Sequence, residues 1–239
     1  IDPEVGVVAS WDSQGNLLGC IVTYACHATT SPGGISANWI YYMEQTIRGA
    51  VGADVPVVFL TAPSADITQV DNQSPYENPS GEEWAELVGG RVGAEAVKAL
   101  LSMEPGTLGP LDASVRMLNF DRRHPIPERV DDSYEIVKQD PEAVGHATWT
   151  FAKETVLLDA LLEEEPSVEV EVQAVQVGPA VFPTTPAEYF CQFGLDIKSD
   201  SEFPFTFPVS LANGSVGYVP TEEAFGPHGG GYETRLTSY

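Results

Sequence analysis

Two hydrophobic periods alternate along this chain, and that alternation limits the folds open to it. Short β-branched runs, such as Val57–Thr61, are separated by stretches in which apolar residues return every three or four positions, as at Trp39, Met43, Ile47 and Val51. Residues 5–11 and 17–24 form two such runs joined by Asp12-Ser13-Gln14-Gly15-Asn16, which predicts a hairpin. A polar, glycine-rich stretch from His27 to Gly34 then leads into a helix over 37–51, a buried strand at 57–61 and a long polar loop through Pro79. Ser80 and Glu83 have capping-box spacing ahead of a helix that runs to about Met103.

The second half follows the same grammar. Strands are expected at 115–120, 168–177, 182–185 and 205–212, and helices at 147–164 and 186–198, the last with Pro186 in its first turn. Residues 122–145, rich in Pro and charge, read as a surface excursion with a short helix near 134–138. Hairpin and crossover connections both occur, so the expected fold is α/β: a mixed β-sheet flanked by helices, in one catalytic-type domain. That domain spans residues 1–239. The chain opens directly in a strand and ends at Tyr239 without a closing element, so both ends are expected to continue in something longer.

A chain of 239 residues, 43% of them hydrophobic, can bury a large core, while its formal net charge of −24 repels nucleic-acid phosphates and anionic lipid surfaces. No run approaches the roughly 18 apolar residues a membrane span needs. The expected location is extracellular or periplasmic, with any secretion signal upstream of Ile1. Cys20, Cys26 and Cys191 match neither a disulfide framework nor a CxxC metal site and read as buried small hydrophobes.

Five places combine reactive side chains with strand ends or loops, where side chains can converge. His27 leaves a strand into a polar loop, Glu188 stands in Pro186-Ala187-Glu188, and Asp66 and Thr68 follow a buried strand. Tyr218 occupies a turn after Asn213-Gly214, and Tyr232 follows Gly229-Gly230-Gly231. Each has an ordinary structural explanation: a hydrogen-bonded histidine, a carboxylate favoured by a helix dipole, packed tyrosines, and loop glycines.

Their order carries more information than any one of them. The succession Tyr-Ala-Cys-His-Ala-Thr, Phe-Leu-Thr-Ala-Pro-Ser-Ala-Asp-Ile-Thr, Pro-Ala-Glu, Leu-Ala-Asn-Gly-Ser-Val-Gly-Tyr-Val-Pro-Thr and Gly-Gly-Tyr-Glu resembles the neutral/alkaline non-lysosomal ceramidase family across nearly the whole chain. The resemblance implies a catalytic zinc with His27, Glu188 and Tyr218 among its ligands, and Tyr232 as a hydrogen-bond donor to the substrate amide. It also implies a further histidine ligand from a segment upstream of Ile1, which a companion chain could supply. The implied reaction is hydrolysis of an N-acyl lipid, ceramide-like, or of another amide. His124, His146 and His228 are expected to face solvent.

Two positions depart from the family pattern. Ala65-Asp66-Ile67-Thr68-Gln69 lacks the glycine and proline of the family's loop, and Asn38 stands where members commonly carry an acid. An amide cannot act as a base, so two other readings stand beside the enzyme: a non-catalytic or processed member with a structural role, and a ligand-binding module that retains the pocket.

Overall fold

Trp39, Met43 and Ile47 lie at four-residue steps, and all three are completely shielded from solvent. In the computed structural model, which describes every residue except Tyr76, His228 and Tyr239, they line the inner face of α1 (Trp39–Val51). This helix connects β2 (Leu17–Tyr24) to β3 (Val57–Thr61), which run parallel and so need a crossover. β1 (Gly6–Trp11) pairs antiparallel on the other side of β2, as the hairpin reading expects.

α2 (Glu82–Ser102) lies against α1 and buries Ala85, Val88, Val92 and Ala96 in the same core. The two helices touch backbone to backbone at Gly89, where a Cβ would run into the Trp39 carbonyl oxygen and lie 2.7 Å from the Met43 amide nitrogen. The Ser80–Glu83 capping box does not form. The cap is Gly81 at φ 93°, whose N–H is held by the Thr30 carbonyl at 2.6 Å. That backbone tether needs a left-handed cap conformation, which glycine adopts without strain.

The second sheet has the order β4–β5–β6–β8, from β4 (Leu111–Asp121), β5 (Ser167–Val177), β6 (Ala180–Thr184) and β8 (Phe205–Thr206). β4 extends the expected 115–120 strand to 11 residues because it pairs with β5 along its whole length. The excursion holds two helices, α3 (Pro127–Ile136) and α4 (Pro141–Val144), each opened by a proline in its first turn, and α3 packs on α5 (His146–Glu164). The expected strand over 205–212 shortens to two residues followed by an isolated bridge from Val209 to Thr184, since Pro208 has no N–H for a ladder. The three cysteines are buried and free, and His124 and His146 are exposed; His228 lies outside the described residues.

The largest departure from the sequence reading is at 186–198. Glu188 is not in a helix. It begins β7 (Glu188–Tyr189), which pairs in parallel with β9 (Tyr218–Val219), and α6 starts only afterwards, at Cys191–Asp200. Glu188 N–H donates to the Gly217 carbonyl at 2.9 Å and Phe190 N–H to that of Val219 at 3.2 Å. These tertiary bonds outweigh the local helix signal of Pro186, whose fixed φ fits extended backbone equally well. Six α-helices therefore flank mixed sheets among the described residues.

Gly89 and its neighbour Gly90 provide a matched test of the α1–α2 contact. Gly90→Ala meets nothing within 4 Å and is expected to stabilise the protein by about 0.5–1 kcal/mol through helix propensity. Gly89→Ala is expected to destabilise it by about 1–3 kcal/mol through overpacking. Urea unfolding of both variants measures the two opposite signs.

Candidate active site

His27 is fixed by backbone rather than by side chains. Its N–H and its Nδ1 both reach the Ile67 carbonyl, at 3.3 and 3.1 Å, and its own carbonyl accepts from the buried Trp39 Nε1 at 3.0 Å. A carbonyl can only accept, so the Nδ1 proton is assigned and Nε2 is left pointing away from the loop. That nitrogen lies 3.4 Å from Glu188 Oε2, and His27 and Glu188 are both mostly shielded, with side-chain exposures of 26% and 23%.

Glu188 is placed by its strand. In the β7–β9 ladder it stands directly opposite Tyr218, whose phenol reaches Glu188 on one side and the Tyr232 hydroxyl, at 3.3 Å, on the other. The Tyr218 and Tyr232 rings meet edge to face, with centroids 5.6 Å apart. Burial pushes the Tyr218 phenol well above its ordinary pKa, and its bonds and proximity to Tyr232 and Glu188 push it further the same way. Gly230, at φ 67°, lets the chain before Tyr232 lie against the turn Glu222–Phe225; a Cβ there would strike the Ala224 carbonyl.

Four of the six candidate residues therefore form one row: His27, Glu188, Tyr218, Tyr232. The other two lie beside it with partners of their own. Asp66 Oδ1 accepts from the Cys191 N–H at 2.7 Å and so caps the N-terminus of α6 from another segment. Thr68 Oγ1 donates to Gln69 Oε1 at 2.8 Å, and Thr29 donates to the same oxygen at 2.8 Å. Asn38 is a clamp: its Oδ1 accepts from Trp39 N–H at 2.9 Å and from Thr30 N–H at 3.2 Å, at a φ of 57° that asparagine tolerates. Sequence reasoning missed Ile67 and Trp39, the two residues that orient His27. The Trp39 indole was legible only as a helix-face residue, and a backbone carbonyl leaves no mark in sequence.

Two cavities adjoin the row. One, of about 530 Å³, is lined by His27, Glu188, Cys26, Phe59 and Ser210; the other, of about 340 Å³, is lined by Tyr218 and largely apolar walls. Among the described residues no group of three or more His, Cys, Asp and Glu side chains comes together, so any ion here would need the phenol as a donor. The donor set fits zinc in kind, and the His27–Glu188 pair fits it in spacing. Two ligands about 2.0–2.1 Å from a tetrahedral zinc lie roughly 3.3 Å apart, close to the 3.4 Å between His27 Nε2 and Glu188 Oε2. A histidine whose other nitrogen donates to a carbonyl is also the usual arrangement for a metal ligand.

The fold and the row together are those of an α/β domain with a mixed imidazole, carboxylate and phenol site. Among solved structures the chain is similar to a neutral ceramidase from Pseudomonas aeruginosa, at a TM-score of 0.71 and 20% identity, and to a ceramidase complexed with C2, at 0.69 and 18%. Both matches cover 100% of this chain, which spans 44% and 45% of those proteins. The likeness bears out in the fold the resemblance drawn from the sequence. No family model and no curated protein matches the chain.

Two outcomes follow from this geometry. Asp66→Ala is expected to cost about 1 kcal/mol of stability by uncapping α6, measured by urea unfolding; an unchanged midpoint would remove the cap role. The fold also holds the Tyr218 proton more tightly than the unfolded chain does. Its stabilisation is complete below about pH 10 and is lost as pH rises further. In metal-free protein, Tyr218→Phe should flatten the alkaline limb of the stability curve.

Proposed function

We propose that this chain hydrolyses the amide bond of an N-acyl lipid of ceramide type, with a zinc ion held by His27, Glu188 and Tyr218. The convergence of those three side chains with Tyr232, from four distant parts of the sequence, carries the reading. The likeness to ceramidases supports it at the level of fold. A zinc ion, when bound, polarises an amide carbonyl and lowers the pKa of water toward neutrality. The remaining work falls to the protein.

The Ile67 carbonyl holds the His27 imidazole with Nε2 free of protein donors, and Trp39 fixes the His27 backbone, so little is lost in ordering the ring when it takes a ligand. The β7–β9 ladder presents the Glu188 carboxylate and the Tyr218 phenol from adjacent strands. Tyr218 must give up its proton to act as a phenolate, so metal binding through it strengthens with pH. Tyr232 lies beyond Tyr218 and is half exposed, free to turn its hydroxyl from Tyr218 to a carbonyl oxygen that gains negative charge during attack. Apolar walls line the cavity beside Tyr218 and offer room for hydrocarbon. A further donor, a histidine from outside residues 1–239, would complete the metal's ligand set, and an extracellular or periplasmic setting suits the acidic surface.

A non-catalytic reading has one observation in its favour. Asn38 and Asp66, the residues nearest the site that could have been expected to move protons, are both taken up by structural hydrogen bonds. One set of variants separates the readings. Tyr232→Phe should lower turnover of a short-chain fluorescent N-acyl sphingosine on the order of 100-fold with zinc content unchanged, as loss of one oxyanion donor does. His27→Ala and Glu188→Ala should lower zinc content itself, by elemental analysis. Absence of both zinc and turnover in the wild-type protein would leave only the structural reading.

A further inference from the structure

The cavity on the Tyr218 side has a composition that amide hydrolysis does not require. Its walls are mainly apolar, from Leu158, Val170, Val216 and Leu236 among others, yet Arg122, Arg123 and Arg235 also line it. These are three of only 11 basic side chains in a chain with 35 acidic ones. With so many carboxylates available, an arginine would be expected to find one. Arg122 does, with Glu165 at 3.7 Å, but among the described residues Arg123 and Arg235 have no ion pair.

Both unpaired guanidiniums are held in another way. The Arg123 guanidinium carbon lies 4.8 Å from the centroid of Phe225, and that of Arg235 lies 4.5 Å from the centroid of Phe151. A cation held over a ring uses no N–H acceptor in the contact, so its donors remain available to grip a carboxylate. Burial lowers the Arg123 pKa, as partial loss of water without a compensating anion should. One carboxylate, Asp121, also lines the cavity, so its rim carries a net positive charge in an otherwise strongly acidic molecule.

The stacking partners tie this rim to the phenols. Phe225 belongs to the turn between Tyr218 and Tyr232, and Arg235 follows the turn Tyr232–Thr234. Tyr218 and both arginines line the same cavity. At about 340 Å³ the space is within the range of ordinary ligand sites.

We infer that this cavity binds a long-chain carboxylate, with its hydrocarbon among Leu158, Val170 and Val216 and its anionic head on Arg123 and Arg235. Used for substrate choice, this deepens the amidase reading, on which that use rests: it would admit anionic N-acyl amino acids beside the neutral ceramide-type lipid. The same chemistry would also hold the fatty acid that amide hydrolysis releases.

Equilibrium binding to the purified protein tests the inference without any turnover. Dodecanoate is expected to bind at least tenfold more tightly than dodecanol and to weaken as salt rises, by isothermal titration calorimetry. The double variant Arg123→Gln/Arg235→Gln should lose that tenfold preference while keeping dodecanol binding and the wild-type circular dichroism. Val216→Trp, which fills the cavity and keeps both charges, should abolish binding of both. Equal affinity for the acid and the alcohol, a preference that survives the double variant, or binding that survives Val216→Trp overturns the assignment.

N-dodecanoylglycine then identifies the source of the ligand. If it displaces dodecanoate, the site serves an anionic substrate; if dodecanoate binds and the acylglycine cannot displace it, the site serves the released acid. Both results uphold the carboxylate site. A protein that binds dodecanoate yet hydrolyses no amide sinks the enzyme reading alone, and one that hydrolyses N-acyl sphingosine but fails the dodecanoate test sinks this inference alone.

Discussion

A parallel ladder only two residues long, Glu188–Tyr189 against Tyr218–Val219, fixes the geometry of the whole site. Side chains alternate faces along a strand, so a slip of one residue would turn the Glu188 carboxylate and the Tyr218 phenol to opposite sides. So short a ladder cannot hold its register through its own two pairs. The register is set from outside: Val216 N–H donates to the Pro186 carbonyl at 2.8 Å before the ladder, and Phe190 N–H to Val219 at 3.2 Å at its end. Leu211 N–H adds a bond to the Ala187 carbonyl at 3.3 Å. Extended backbone through Pro186 is thus a requirement of the site, and a helix starting there would remove Glu188 from it.

His27 comes from the other sheet, and it meets Glu188 only because the segment after β3 ties the halves together. Ala62 N–H bonds the Tyr24 carbonyl at 3.2 Å, Ala65 N–H bonds that of Tyr189 at 3.1 Å, and Ser210 N–H bonds that of Thr61 at 2.9 Å. The same few residues carry Asp66, which caps α6, and Ile67, which orients the imidazole. A buried backbone group left without a partner costs as much as a lost hydrogen bond, so each of these pairings favours this one path of the chain. The loop over residues 65–69 has neither glycine nor proline and still holds a definite shape. Its conformation is imposed by three neighbouring segments rather than by its own turn residues.

Much of the scaffold is legible in the sequence because its elements carry their own period. The Trp39, Met43, Ile47 stripe, the β-branched runs at 17–24 and 57–61, and the valine alternation at 168–177 all announce what they become. Failures cluster where tertiary bonds override local signals: Gly81 displaces Ser80 as a cap because Thr30 holds it, and Pro186 opens a strand because Gly217 and Val219 hold its neighbours. The site residues were identifiable by order and residue type, but their roles were not all visible. Asp66 is a catalytic candidate by its place in the loop, and the structure adds a bond the sequence does not show, from the Cys191 N–H 125 positions away.

The position of the site at the seam between two sheets also bears on how rigid it can be. Each sheet has its own buried cluster, one around Trp39 and Met43 and the other around Phe182 and Phe207, so neither half depends on the row for its core. What joins them is both apolar and polar: Val8, Ile21 and Leu60 of the first sheet pack against the second sheet's cluster, and the backbone bonds above, the Asp66 cap, and the shielded pair of Lys198 with Asp2 at 2.7 Å cross between them. Hydrogen bonds contribute less per contact than apolar burial but are far more directional. The apolar contact therefore stabilises the seam while the hydrogen bonds across it fix distances and angles, which suits a site whose donors must keep fixed spacing. Phe207 adds to the apolar contact: its ring packs against the place where a Gly6 side chain would be, pressing the second sheet's core onto the first sheet's edge strand. A side chain at Gly6 would meet both Thr23 of its own sheet and the Phe207 ring, so the close approach of the two halves at this point depends on glycine.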